Sequence, residues 1–426
     1  MQNFAYLMAL RSQNVKLRTM KLRHVVVLAY NSSDDPLVQG GFLLVLLHVA
    51  RQQPDLRLHL ITYEQEDYPL TLAQQQRQAA DWAAAGIIWH PLTWHSGRYK
   101  ILKKVYDLLV GLLLCMRLRW QIGVRSLIGF GTVAGSFGFM ISKILGMRYY
   151  FYQFEPHSEF MRDCGVWPES SLAFRALNYM EGISGKYADF LSTGTTHMIA
   201  RLQKEGSHAK TYLLPSCVDD DRFQFTAVGR QVVRVRYGLT ADQPVVLYLG
   251  KFGGIYYEQE TADMCAALLR ELPDLHFLVV TPDPPAYVAS LMRRAGLPEN
   301  RVTITRSPFK EVQSYISAAD FGLVAVPPTP AQQYRSPIKV GEYLCCGLPY
   351  LTCWGISEDD KVAEQYNVGV VVSGFSEAEA TRVAPRIAAF IAEDDETLRQ
   401  RCRQAGVNYR SLRHYLPVAE EICAQL

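Results

Sequence analysis

Metal-ligand spacing is missing from this sequence. Its nine cysteines stand at 115, 164, 217, 265, 345, 346, 353, 402 and 423, and none belongs to a C-x-x-C pair. Their odd number and scatter argue against a disulfide framework or a zinc site, and for a reduced, cytoplasmic chain. An excess of one charge is missing too: 44 Lys and Arg against 41 Asp and Glu leave +3, which gives no reason to expect a nucleic-acid partner. The longest charge-free run, Ser126 to Ser142, is about 17 residues with four glycines, too short for a membrane span. Residues 1–23 are basic (Arg11, Lys16, Arg18, Lys21, Arg23) but lack the apolar region and cleavage site of a signal peptide, so they read as a loose extension, with Met20 as an alternative start. The first strand runs into Asn31-Ser32-Ser33-Asp34 rather than a G-x-G-x-x-G turn, which disfavours a nicotinamide oxidoreductase.

What is present is a globular composition, 49% apolar and 20% charged, on 426 residues. That length exceeds the roughly 250–300 residues at which one core stops growing, so two domains are expected. His24–Tyr30 (HVVVLAY) is a β-branched run suited to a buried parallel strand, followed by a polar loop to Gly40–Gly41 and an apolar helical stretch, Phe42–Ala50. Strand, loop and helix alternate in this way to Leu214, then restart at Pro244–Gly250 (PVVLYLG). The pattern predicts an α/β protein of two Rossmann-like halves. The expected divisions are an extension at 1–23, an N-terminal domain at 24–214, a connector at 215–243, a C-terminal domain at 244–396, and a helical segment at 397–426 packing back on the first domain. In open parallel sheets ligands sit outside the carboxyl ends of the strands, so two facing sheets place a site in the cleft between them.

The most informative segment is Ser336–Pro349 (SPIKVGEYLCCGLP). Serine before proline predicts an N-cap with proline at the first helical position, and Gly347 predicts a stop, giving a helix of about ten residues. Lys339 falls in the first turn, where a cation costs about 0.3–1 kcal/mol unless an anion is bound. A diphosphate reverses that sign, because free amides and an ammonium group converge on it. Gly341 inside the helix costs about 1 kcal/mol relative to alanine, which points to a close approach to the backbone. Glu342 lies on nearly the same face as Lys339, and its carboxylate can accept from two adjacent hydroxyls such as those of a ribose. A capped helix with a solvated lysine and glutamate is the competing reading.

With these residues in view, Ser336–Pro349 resembles the signature of the nucleotide-sugar-dependent glycosyltransferases of family 4. The resemblance implies the GT-B fold, two Rossmann-like domains facing across a cleft with a C-terminal helix crossing back. It implies a donor diphosphate held by Arg335, Ser336, Ile338, Lys339 and Val340, and a ribose held by Glu342. Pro244–Tyr257 (PVVLYLGKFGGIYY) resembles the family's loop after the first strand of the second domain. Lys251 there would neutralise the leaving diphosphate, with Gly253 and Gly254 letting the backbone approach phosphate or sugar. An ordinary Gly-rich turn with an exposed lysine is the alternative. Leu214–Phe223 (LPSCVDDDRF) resembles the interdomain segment, so Asp219–Asp221 is read as part of a hinge and no metal is expected. Val312–Pro328 matches the helix and strand that lead into the signature.

In the first half, Gly40 and Gly41 resemble the family's glycine loop facing the donor phosphates, a tight turn being the other reading. Phe154–Glu159 (FEPHSE) ends a strand, and Glu155 or His157 is a candidate partner of the transferred sugar or of the acceptor hydroxyl, unless His157 is structural. From Arg98 to Arg125 seven basic residues flank an apolar stretch, Val105–Met116, opposed by Asp107 alone. This is either a basic amphipathic element on an anionic bilayer or a core helix with a solvated flank.

The sequence departs from the family pattern at Tyr334, where a glutamate preceding Glu342 by seven intervening residues usually contacts the donor sugar. The second lysine after Lys251 is also absent, and Arg335 or Lys339 is the substitute. The expected activity is sugar transfer from a UDP-sugar or GDP-sugar, with retention and no further cofactor, to a glycan or lipid-linked glycan, as in polysaccharide assembly. Leaving-group charge would fall on Lys251, Lys339 and helix amides. The expected place is the cytoplasm or the inner face of its membrane. The alternatives are an inactive binding or scaffold protein of polysaccharide assembly, motivated by Tyr334, and a nucleotide-sugar epimerase.

Overall fold

The computed structural model describes residues 22–426 apart from 36, 96, 154 and 394, with the backbone alone at 100 and 101. The extension expected at 1–23, Met20 included, lies outside the described residues up to residue 21, and Phe154 of the FEPHSE segment lies outside them too. Arg23 is not part of a loose extension but opens the first strand, with Nε donating to Asp55 Oδ2 at 2.6 Å.

Runs such as Val25–Ala29, buried on both faces, become interior strands because each face is covered by helices. Seven strands form the first sheet: β1 (Arg23–Ala29), β2 (Leu56–Glu64), β3 (Ile87–Thr93), β4 (Ser126–Phe130), β5 (Arg148–Tyr152), β6 (Phe190–Thr193) and β7 (Lys210–Leu213). Six form the second: β8 (Val245–Leu249), β9 (His276–Val280), β10 (Val302–Thr305), β11 (Phe321–Leu323), β12 (Tyr350–Cys353) and β13 (Gly369–Val372). Every pairing is parallel, and the orders are β3-β2-β1-β4-β5-β6-β7 and β10-β9-β8-β11-β12-β13. Both sheets therefore reverse direction beside their first strand, between β1 and β4 and between β8 and β11. Crevices for ligands open at such reversals.

The charge-free run at 126–142 is β4 followed by the helix Gly131–Leu145 lying directly on the sheet. A Cβ on Gly135 would stand 2.1 Å from the Phe151 ring, so its glycines serve close packing. Among the described residues no helix is long and apolar enough to cross a membrane.

Two expectations need correction. The stretch 215–243 is not merely a connector: Thr226 caps a helix, Ala227–Arg236, whose Arg230 and Arg234 both reach Asp320. The segment expected as one terminal helix is two, Asp395–Arg410 and Leu412–Gln425. The first packs in the second domain through Leu398, Cys402 and Ala405, and only the second covers the first domain, through Tyr415, Leu416, Ala419 and Ile422. The break is fixed by the outgoing chain: Val218 N donates to Arg410 O and Leu412 N donates to Val218 O, each at 2.8 Å. Asp220 holds the returning chain by accepting from Ser411 Oγ and Arg413 Nη2, both at 2.6 Å.

Candidate functional site

A cavity of about 820 Å3 separates the carboxyl ends of the two sheets. From the first domain it is lined by Gly40, Gly41, Glu155 and His157, and from the second by Gly250, Arg335, Ser336, Ile338, Lys339 and Glu342. Gly40 and Gly41 belong to a π-helical turn, Val38–Phe42, that leads into the helix Leu43–Gln52. Gly40 brings the first domain against the second, since a Cβ on it would lie 3.9 Å from the Phe309 ring, whereas one on Gly41 would lie 3.5 Å from Cys217 O of the connecting stretch.

The signature helix runs from Ile338 to Cys345, with Pro337 as its N-cap. It starts one residue later than the sequence predicts, because the Ser336 hydroxyl is turned to the hinge, where it accepts from Ser216 N at 3.0 Å. Gly347 follows its end with φ of 77°. Gly341 is explained by the protein itself and not by a ligand: its Cβ would lie 2.7 Å from both Arg410 Cβ and Val218 Cγ2. Val340 is fully buried in the core of the second domain, away from the cavity.

Lys339 Nζ stands 4.0 Å from the centre of the Tyr256 ring and would touch a Cβ on Gly250 at 2.8 Å. Arg335 Nε donates to Glu155 Oε2 at 2.5 Å, its guanidinium lies 4.3 Å over Phe160, and its Nη1 is buried without a partner. Glu155 Oε1 accepts from His157 Nδ1 at 3.0 Å. Burial favours the protonated form of Glu155, but Arg335 and His157 outweigh it and hold the carboxyl below its ordinary value. The Tyr256 phenol is likewise lowered, first by the Lys339 charge, against the effect of burial and with help from Arg335. Two acidic groups, a carboxyl and a phenol, thus report one positive field. Glu342 is 5% exposed, and burial pushes its carboxyl up to about 7 against the pull of Lys339 and Arg222.

Besides Val340, four residues named from the sequence stand outside this convergence. Lys251 follows Gly250 but its side chain is exposed, the loop being fixed by Tyr248 Oη donating to Lys251 O and by Asp283 accepting from Phe252 N at 2.7 Å. Gly253 and Gly254, with φ of 74° and 66°, form the turn beyond it. The ring of Tyr334 is directed away, packed on the core of the first domain 5.0 Å beneath the Arg201 guanidinium. Sequence reading missed the far wall, formed by Val280, Thr281, Pro282, Arg306 and Phe309. The available signal was positional: these residues end or follow β9 and β10, at the carboxyl ends of strands.

Positive charge, free amides at a helix start and a recessed carboxyl facing an apolar wall suit a nucleoside diphosphate better than either domain alone would. No family model matches the chain. A relative, the alpha-D-kanosaminyltransferase of Streptomyces kanamyceticus, is 29% identical over 226 residues, covering 52% of this chain and 53% of its own, so the match spans about half of either protein. Among solved structures, sucrose-phosphate synthase from Thermosynechococcus elongatus superposes with a TM-score of 0.71 at 16% identity, over 95% of this chain and 98% of that one. The Anabaena protein HepE in complex with UDP-glucose gives a TM-score of 0.67 at 14% identity, over 95% and 100%. At these identities the likeness is one of architecture: the chain has the GT-B fold, two facing parallel α/β domains.

Proposed function

We infer that this protein is a glycosyltransferase that moves a sugar from a nucleoside diphosphate donor to an acceptor hydroxyl. The observation that carries the reading is the meeting of Arg335, Lys339 and Glu342 at the start of one helix, in a cavity between the carboxyl ends of two parallel sheets. The diphosphate is taken by Lys339, the unpartnered Arg335 Nη1 and the first amides of Ile338–Cys345; Glu342 takes the ribose; the wall at Val280, Pro282 and Phe309 takes the base. UDP-glucose is the ligand of the similarly folded HepE, and UDP and GDP sugars are the donors to try. Charge that develops on the leaving diphosphate is met by donors already in place, a preorganised stabilisation that needs no cofactor.

Glu155 and His157 face the same space from the other domain and are the groups for the sugar hydroxyls, a role left open by Tyr334. Transfer with retention follows if the departing phosphate accepts the acceptor proton on the same face of the sugar. The acceptor, a glycan or lipid-linked glycan, enters from the first domain. A lipid-linked acceptor gains support from the helix Lys100–Ile122, which exposes Leu102, Tyr106, Leu109, Leu113 and Trp120 along one side beside basic residues. The site of action would then be the membrane surface on the cytoplasmic side.

Thermal unfolding with UDP, GDP and their sugars tests the donor, because a ligand at about 100 times its Kd stabilises by about 2.7 kcal/mol. Mass spectrometry of reactions with the stabilising donor and candidate glycans tests the transfer. A stabilising nucleotide without any product supports the scaffold reading instead, and isomerised donor without acceptor supports an epimerase. No shift with any nucleotide overturns the assignment.

A further inference from the structure

A second cavity, of about 310 Å3, lies behind the helix His157–Asp163, within the first domain. It is bounded by the helices Leu172–Tyr187 and Thr196–Lys204 and by the end of β5. The short helix is a partition: His157, Phe160 and Met161 line the interdomain cleft, whereas Pro156 and Glu159 line the second cavity. The volume falls at the lower end of the roughly 300–1,000 Å3 of small-molecule sites.

Its lining is built for hydroxyl groups. Gln153 is 2% exposed and its Oε1 accepts from nothing in the protein, a buried acceptor that needs a donor. Glu181 is buried; it accepts from Ser158 N at 3.1 Å and from Ser158 Oγ, and burial pushes its carboxyl up to about 7. Asn178 donates to the same hydroxyl at 3.1 Å. Arg201 is committed to Glu159, to which it donates at 2.6 and 2.7 Å. Three glutamates (159, 181 and 205) face two cations (Lys186 and Arg201), which disfavours an anionic ligand. Pro156, Met198 and Leu202 add an apolar side. Acceptors for hydroxyls on one side and carbon on the other match the two aspects of a sugar ring.

Gly182 supplies an independent observation. It stands within the helix Leu172–Tyr187, where glycine weakens a helix, yet a Cβ there would meet no atom within 4 Å and its backbone is helical. Neither packing nor conformation requires glycine at this position of the cavity wall. The bare backbone leaves the cavity open.

We propose that this pocket binds one neutral sugar ring, separately from any nucleotide in the interdomain cleft. The proposal does not rest on the transferase reading. Arg201 connects the two places, since it holds Glu159 at the pocket and covers Tyr334 beside the cleft. The ring is either a residue of an acceptor glycan or a free saccharide that acts as an effector, and the hydroxyl chemistry is the same for both.

Ligand-observed magnetic resonance on the full chain, with the methyl glycosides of glucose, galactose and mannose and with excess UDP, tests it. At least one glycoside should bind without displacement by UDP, bind at least about tenfold more weakly to Gly182→Phe, and bind unchanged to Lys339→Ala. Should Gly182→Phe fail to fold, Gln153→Leu, which removes the unpartnered oxygen at similar volume, should show the same loss. Absence of binding by all three glycosides, displacement by UDP, or unaltered binding to a folded Gly182→Phe overturns the proposal. Once a transfer reaction is in hand, a raised acceptor KM in Gly182→Phe with unchanged kcat identifies the ring as part of the acceptor. An unchanged KM, with loss of the rate effect of free glycoside, identifies an effector.

Discussion

Glu342 is a carboxyl whose surroundings favour the proton. Its ordinary value is 4.5 and burial brings it to about 7, so between those values the folded chain holds a proton that the unfolded chain has lost. Stability then falls as pH rises through that interval, and Glu181 (to about 7) and Asp359 (to about 6) act in the same direction. Glu342→Gln should flatten this slope and stabilise the chain at about pH 8 relative to about pH 5, by on the order of 3 kcal/mol. Thermal unfolding at both pH values checks it, and an equal change in Tm at the two would contradict it. The two lysines separate on similar grounds. Lys339 lines the cavity and shifts Tyr256, whereas Lys251 is exposed. Lys339→Ala should lower kcat/KM for transfer by about 100-fold or more and Lys251→Ala by under about tenfold; matching losses would return Lys251 to the phosphates. Lys339 and Glu342 were legible in the sequence because they share one short helix. The pairing of Arg335 with Glu155 was not, because spacing along a chain carries no record of which loops of two domains will meet.

The signature helix owes its position to the helix Asp395–Arg410. Alanine at Gly341 would gain about 1 kcal/mol of helix propensity but drive a methyl group into Arg410 and Val218, a strain of about 1–3 kcal/mol. Gly341→Ala should therefore lower the urea midpoint, and a raised midpoint would show that the neighbours yield. The helix Lys100–Ile122 carries Asp107, Cys115 and Leu118 inward and leaves Trp120 78% exposed. It thereby has both a core face and an apolar outer face. Its outer face predicts that the chain sediments with phosphatidylglycerol vesicles and much less with phosphatidylcholine, and that Leu113→Glu with Trp120→Glu abolishes the difference. Sedimentation unaffected by both changes would place the contact elsewhere. Elements with continuous β-branched runs were readable from sequence. The helix Ala227–Arg236 was not, since Val228, Val232 and Val235 point outward and Gly229 and Val233 supply little of an inward stripe.

At the scale of the whole molecule, the domains touch through more than the hinge. Thr196 N donates to Glu358 Oε1 at 2.8 Å, Ala331 N to Asp163 Oδ2 at 3.0 Å, and Arg335 to Glu155. Length and the restarted strand pattern indicated two units, but such contacts depend on how the units face each other, which no local pattern encodes. The last helix, Leu412–Gln425, buries Tyr415, Leu416, Ala419 and Ile422 together with Leu46 and Val49 of the helix Leu43–Gln52. A chain ending at Ser411 should lose several kcal/mol and unfold its first domain at lower temperature than its second. Calorimetry checks this, and one unchanged transition would show that the last helix is dispensable.

The adjacent crossings at Val218 and Ser411 also set an order in time. The second domain is inserted into the first, so a ribosome completes every strand of the second before it releases the 14 residues that close the first. The half that emerges earliest is thus finished last, and until the helix Leu412–Gln425 docks, its face at Leu46 and Val49 stays uncovered.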